Sequence, residues 1–120
     1  MCRALVFEKS KRIADLETEI IVSNGGTVTE VISCTKVLTA YLKTDIDSFD
    51  TIVADIRGVE DQEHFFSMLN NLVEQGKKVI YLTSAPQKTI EKRCNGTFSR
   101  IEYLRKPFLV TEFKDLVFNK

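Results

Sequence analysis

Phe49-Asp50-Thr51-Ile52-Val53-Ala54-Asp55-Ile56 decides how this chain is read. Thr51 to Ala54 form an apolar run of strand length that delivers a carboxylate, Asp55, at its end. On its own, Asp55 reads first as a helix cap, with Ile56-Arg57-Gly58 leading into the next element. Its neighbours in the sequence decide what more it is.

Upstream, Arg3–Phe7 is a short apolar strand, and Ser10 is placed to cap a helix with apolar positions Ile13, Leu16, Ile20 and Ile21. Asn24-Gly25-Gly26 stops that helix, and Thr27–Ile32 is β-branched and strand-like. Val37, Leu38, Tyr41 and Leu42 predict a second helix opening near Thr35. Downstream of the Thr51–Asp55 strand, Asp61 is placed to cap a third helix bearing Phe65, Phe66, Leu69, Leu72 and Val73, ended by Gly76. Lys78–Thr83 is a fourth strand, Gln87–Cys94 a short polar helix, Arg100–Leu104 a fifth strand and Val110–Val117 a last helix. Strands alternating with helices predict an α/β fold: a doubly wound, flavodoxin-like five-stranded parallel sheet of order 2-1-3-4-5, with helices on both faces.

In such a sheet, ligands bind beyond the carboxyl ends of the strands, at the switch point between strands one and three. The residues leaving those ends are Glu8 and Lys9, Asp55, Thr83 and Ser84, and Lys106. A carboxylate held there is a nucleophile toward phosphorus, a hydroxyl a donor to phosphoryl oxygens, and an ammonium a counter-charge.

Composition narrows the classes. The 120 residues suit one domain, 1–120, with one core. Lys plus Arg equals Asp plus Glu at 17 each, which gives no reason to expect a nucleic-acid partner or an anionic membrane surface. No stretch approaches the ~20 apolar residues of a spanning helix, and the N-terminus lacks a signal-peptide pattern, so a cytoplasmic protein is expected. Cys2, Cys34 and Cys94 are widely spaced with no C-x-x-C, so reduced thiols are expected rather than a zinc site. The absence of a Gly-rich loop after the first strand argues against a nucleotide-binding enzyme.

The ordered set resembles the receiver domain of two-component response regulators across essentially the whole chain. Phe49–Ile56 is similar to the phosphoacceptor strand, Val79-Ile80-Tyr81-Leu82-Thr83-Ser84 to the Thr/Ser-ended strand, and Ile101-Glu102-Tyr103-Leu104-Arg105-Lys106-Pro107-Phe108 to the closing strand and Lys-Pro turn. The gaps of 28 residues from Asp55 to Thr83 and 23 from Thr83 to Lys106 also suit that family. The resemblance implies phosphoryl transfer to Asp55 from a histidine kinase or phosphotransfer protein. It implies Lys106 and Thr83 as phosphoryl-contacting groups, Pro107 in the cis form, and Tyr103 as a switch aromatic. It also implies an effector docked on the face of the fourth helix, fifth strand and fifth helix, with no enzymatic activity beyond self-phosphorylation and autodephosphorylation. His64, the single histidine, is expected at the surface or in packing.

The chain departs from that pattern at the acidic pair, in the loop Arg57-Gly58-Val59-Glu60-Asp61 after Asp55, and at Gly96-Thr97-Phe98-Ser99, where the family has a Gly-Ala step. The family carries two adjacent acidic residues after strand one to bind Mg²⁺, and here the pair is Glu8-Lys9. Ile13, Leu16 and Ile20 follow Glu8 by 5, 8 and 12 residues, the spacing that puts Glu8 first in the pair and Lys9 second. Glu8, Asp55, Lys9 and Lys106 then sum to zero charge, and Arg57 would add one positive charge. Swapping a carboxylate for an ammonium at ~4 Å and an effective dielectric of ~20 removes ~4 kcal/mol of attraction per unit of metal charge and adds similar repulsion. Glu8 and Asp55 are therefore expected to bind Mg²⁺ weakly, with Mg²⁺ dependence weakened or lost. The other reading is a pseudo-receiver: a docking module or homodimer that is never phosphorylated.

Overall fold

The computed structural model describes residues 2–32, 45–54, 62–83, 102–105 and 108–118. Their order is β1 (Arg3–Phe7), α1 (Lys11–Ser23), β2 (Thr27–Ile32), a 3₁₀ turn (Ile46–Ser48), β3 (Thr51–Ala54), α2 (Gln62–Glu74), β4 (Lys78–Thr83), β5 (Glu102–Arg105) and α3 (Val110–Phe118). The five strands form one parallel sheet in the order β2-β1-β3-β4-β5. This is the doubly wound arrangement expected from the alternating pattern. The helices expected around Thr35–Leu42 and Gln87–Cys94, and the Asp61 cap, lie outside the described residues. So do Arg100 and Ile101, and the described part of β5 runs one residue beyond Leu104, to Arg105.

Strand alternation splits the core in two. Leu5, Phe7, Ile52, Ala54, Val79 and Tyr81 face α2, where they meet Phe65, Phe66, Leu69 and Leu72. Phe7 and Phe65 pack edge to face at 5.6 Å between ring centroids. The opposite residues, Ala4, Val6, Val53, Ile80, Leu82 and Leu104, face α1 and α3 through Ile20, Ile21, Phe113 and Val117. Strands buried on both faces read as continuous apolar runs, which is why Thr51–Ala54 shows no polar alternation.

α1 starts where Ser10 was expected to cap it, with the Ser10 hydroxyl accepting from the Ile13 N–H at 3.4 Å. Gly25 follows its end at φ +91°, a left-handed conformation that costs glycine little. Gly76 ends α2 in the same way, at φ +85°.

One expectation for α1 is corrected. Leu16 was placed on the buried face, yet it is 40% exposed, while Ala14, Glu17, Ile20 and Ile21 are buried. The stripe facing the sheet runs through 14, 17 and 21, and Leu16 sits one residue, about 100°, off it, so the spacing of 5, 8 and 12 residues counted from Glu8 does not by itself fix which residue stands first in the acidic pair. An acidic side chain therefore occupies a place that a hydrophobic pattern cannot reveal.

The amino-terminal rim of the sheet is stitched by polar bonds. Asp50 accepts from the Arg3 N–H at 3.1 Å and from the Thr51 hydroxyl at 2.8 Å, and Lys77 Nζ donates to the Phe49 carbonyl at 2.8 Å. A register shift between Ala4 and Leu5 bulges β2. No helix among the described residues is long and apolar enough to cross a membrane.

Candidate functional site

Register places the strand ends. Phe7 lies opposite Ile32 on one side and Ala54 on the other. Ala54 lies opposite Tyr81, and Thr83 opposite Arg105. Adjacent strands run ~4.8 Å apart, so β1, β3, β4 and β5 all finish along one rim. Glu8 follows Phe7 and Asp55 follows Ala54 in the chain, so two acidic residues come directly after a paired position of the central strands. Lys106 likewise follows Arg105, the partner of Thr83. Asp55, Arg57, Ser84, Lys106 and Pro107 themselves lie outside the described residues, as does the side chain of Tyr103, whose backbone pairs with Tyr81.

Three of the expected site residues are described. Thr83 closes β4 and is buried. Glu8 is buried at 3% exposure; its N–H donates to the Ile32 carbonyl at 3.1 Å, and its Oε1 accepts from the Ser10 N–H at 3.2 Å. That second bond gives Glu8 a role that the sequence reading missed: it closes the turn from β1 into α1. The Glu-x-Ser spacing was the available signal, since a carboxylate two residues before a cap can reach the cap's own N–H. Lys9, between them, is exposed.

A hard ion wants several carboxylate or carbonyl oxygens; of the side chains described at this rim, Glu8 has one oxygen already accepting from Ser10, and the Lys9 ammonium offers none. Among the described residues, no group of three His, Cys, Asp or Glu could hold a metal.

Past the rim, Phe108 stacks on Phe113 at 5.4 Å, and Glu112 Oε1 accepts from the Leu109 N–H at 2.9 Å to cap α3. Leu109 and Val110 are exposed at that helix start, another feature the apolar pattern did not mark.

No protein-family model matches the chain, and no curated protein matches it in sequence. Solved structures do match. The Francisella response regulator 1452 receiver domain is 25% identical with a TM-score of 0.69, covering 98% of this chain and 93% of that one. The chemotaxis response regulator CheY4 of Vibrio cholerae is 17% identical with a TM-score of 0.71, covering 94% and 92%. A Burkholderia pseudomallei response regulator, whose structure holds a phosphorylated aspartic acid, a calcium ion and citrate, is 16% identical with a TM-score of 0.71, covering 99% and 68%. The chain has the fold of the response regulator receiver domains.

Proposed function

We propose that this protein is a phosphorelay receiver that accepts a phosphoryl group on Asp55, with weakened dependence on Mg²⁺. The observation that carries the reading is the Phe7–Ala54 pairing at the switch point, with Glu8 and Asp55 next in the chain on either side and Thr83 buried at the end of β4. That is where a doubly wound sheet binds its ligand.

The donor is a phosphohistidine of a kinase or phosphotransfer protein. An Asp55 carboxylate oxygen attacks phosphorus and forms an acyl phosphate; the P–N bond breaks and the imidazole leaves with the electron pair. The Thr83 hydroxyl and the Lys106 ammonium serve the transferred oxygens, one as hydrogen-bond donor and one as counter-charge. Such a donor places the protein in the cytoplasm. Chemistry is limited to this self-phosphorylation and its hydrolytic reversal. The charged state is read by a separate effector, or by a second copy, on the face that includes β5 and α3, with Tyr103 as the coupling aromatic.

The test is intact-mass measurement after incubation with acetyl phosphate. Gain of one phosphoryl group that Asp55→Asn abolishes supports the acceptor. No gain, with or without Mg²⁺, contradicts it and favours a phosphorylation-independent docking module.

A further inference from the structure

We propose that Asn24 is a site of spontaneous deamidation gated by fraying of the last turn of α1, and that its conversion to isoaspartate keeps that turn from re-forming. The co-reactant is water, and the inference stands apart from the acceptor reading above.

Asn24 caps the carboxyl end of α1, is exposed, and is followed by Gly25. Asparagine is a labile residue, most of all before glycine, whose nitrogen reaches the side-chain amide with no side chain of its own in the way. Hydroxide takes the Gly25 N–H proton, and the nitrogen attacks Asn24 Cγ. The N–Cγ bond forms, the Cγ–Nδ2 bond breaks, and ammonia leaves with the electron pair and a proton from water. Water then opens the cyclic imide at either carbonyl, giving aspartate or isoaspartate.

The folded turn blocks each part of this step. Asn24 is held at ψ 19°, which puts the Gly25 nitrogen on the far side of the Cα–C bond from Cβ. The Gly25 N–H that must lose its proton donates to the Val22 carbonyl at 3.2 Å. The leaving nitrogen is engaged as well, with Nδ2 donating to the Ile20 carbonyl at 2.7 Å. All three restraints belong to the last turn of α1, so they are released together when that turn opens. Helix ends open at far lower free energy than whole domains.

The product does not fit back. Beyond Gly25, the Gly26 N–H donates to the Ile21 carbonyl at 2.9 Å, and the Thr27 N–H to the Cys2 carbonyl at 2.8 Å, where β2 begins. Gly26 is packed so closely that a Cβ there would lie 2.8 Å from Ile21 Cγ2 and 3.2 Å from the Cys2 carbonyl oxygen. Isoaspartate lengthens the main chain by one carbon between these two fixed points. Either product also replaces the donor to the Ile20 carbonyl with a carboxylate at the negative end of the helix dipole.

The experiment ages the whole chain in mildly alkaline buffer, folded and in denaturing urea, and reads aspartate and isoaspartate at position 24 by peptide mapping. Asn95-Gly96, the other Asn-Gly pair, reports the intrinsic rate in the unfolded chain. In denaturing urea the two sites should convert at similar rates, and folding should slow Asn24 by roughly tenfold or more. Urea well below the unfolding midpoint should leave the folded rate flat, because fraying exposes little surface. Protein carrying isoaspartate at 24, isolated by ion exchange, should unfold at lower urea than fresh protein. Asn24→Asp, which adds the charge without the extra carbon, should fall between them. Equal rates in folded and unfolded protein, or no conversion at 24 in denaturing urea, would refute the site. A folded rate that climbs with urea at the slope of global unfolding would refute the local gate. An unchanged midpoint for the isoaspartate protein would refute the consequence.

Discussion

Replacing Ile21 by alanine should destabilise the protein far more than replacing Leu16, although both lie on α1 and both belong to the apolar pattern. Ile21 is fully buried between α1 and the sheet, among Ala4, Val53 and Val117 of the same cluster. Its truncation loses the transfer free energy of three carbons and leaves a cavity that the sheet cannot collapse, about 3 kcal/mol within the usual 2–5. Leu16 keeps 40% of its surface in water and opens no cavity when shortened. Little more than half of a leucine's ~2 kcal/mol of burial is at stake, and alanine's better helix propensity returns a few tenths, leaving about 1 kcal/mol. With a urea m-value of about 2 kcal/mol/M, the midpoints should fall by roughly 1.5 M and 0.5 M. Urea unfolding followed by circular dichroism reads both. Equal losses, or a larger loss for Leu16, would mean that α1 is turned by one residue from the orientation described here. The reasoning about the β1–α1 turn would fail with it, because Ser10 starts that helix.

Three further outcomes follow from the same contacts. Ser10→Ala should cost about 1 kcal/mol by orphaning the Ile13 N–H, and an unchanged melting temperature would contradict the cap. Asp50→Asn should be nearly neutral, since the 3.5 Å pair with Arg3 is exposed, whereas Asp50→Ala should cost about 1–2 kcal/mol by stripping acceptors from the Arg3 N–H and the Thr51 hydroxyl. Equal effects in urea unfolding would contradict that division. Burial pushes the Cys2 thiol above its ordinary value, so the folded chain keeps this proton after the unfolded chain has lost it. Stability from that group is full below the unfolded thiol's pKa and is lost as pH rises toward the higher folded value. Cys2→Ala should flatten the alkaline decline in stability, and identical pH profiles for variant and wild type would refute this.

The architecture was legible because strands buried on both faces write themselves as uninterrupted apolar runs. Arg3–Phe7 and Lys78–Thr83 fall where they were expected for that reason, the largely exposed Thr27–Ile32 does so through its β-branched residues, and Phe65, Phe66, Leu69 and Leu72 face the sheet as their spacing required. The helix stops at Gly25 and Gly76 were legible for a different reason, a backbone conformation that few residues tolerate. What the pattern hid was tertiary. Glu17 is buried and Leu16 is not, and the choice between two stripes one residue apart depends on what α1 packs against. The bulge in β2 opposite Ala4 and Leu5 leaves no mark on a strand rich in β-branched residues. At the rim, residue types and chain positions were readable for Glu8, Lys9 and Thr83. The bond from Ser10 to Glu8 was readable only as a possibility, since the Glu-x-Ser spacing allows it and the rotamer of Glu8 decides it.

The account stands on Asp55 as the residue that takes the phosphoryl group. Borohydride reduction of acetyl-phosphate-treated protein converts an aspartyl phosphate to homoserine, and peptide mass spectrometry locates it. Homoserine at position 55 is the result predicted. Unmodified aspartate at 55 in every condition, or homoserine at another carboxylate, would contradict the account.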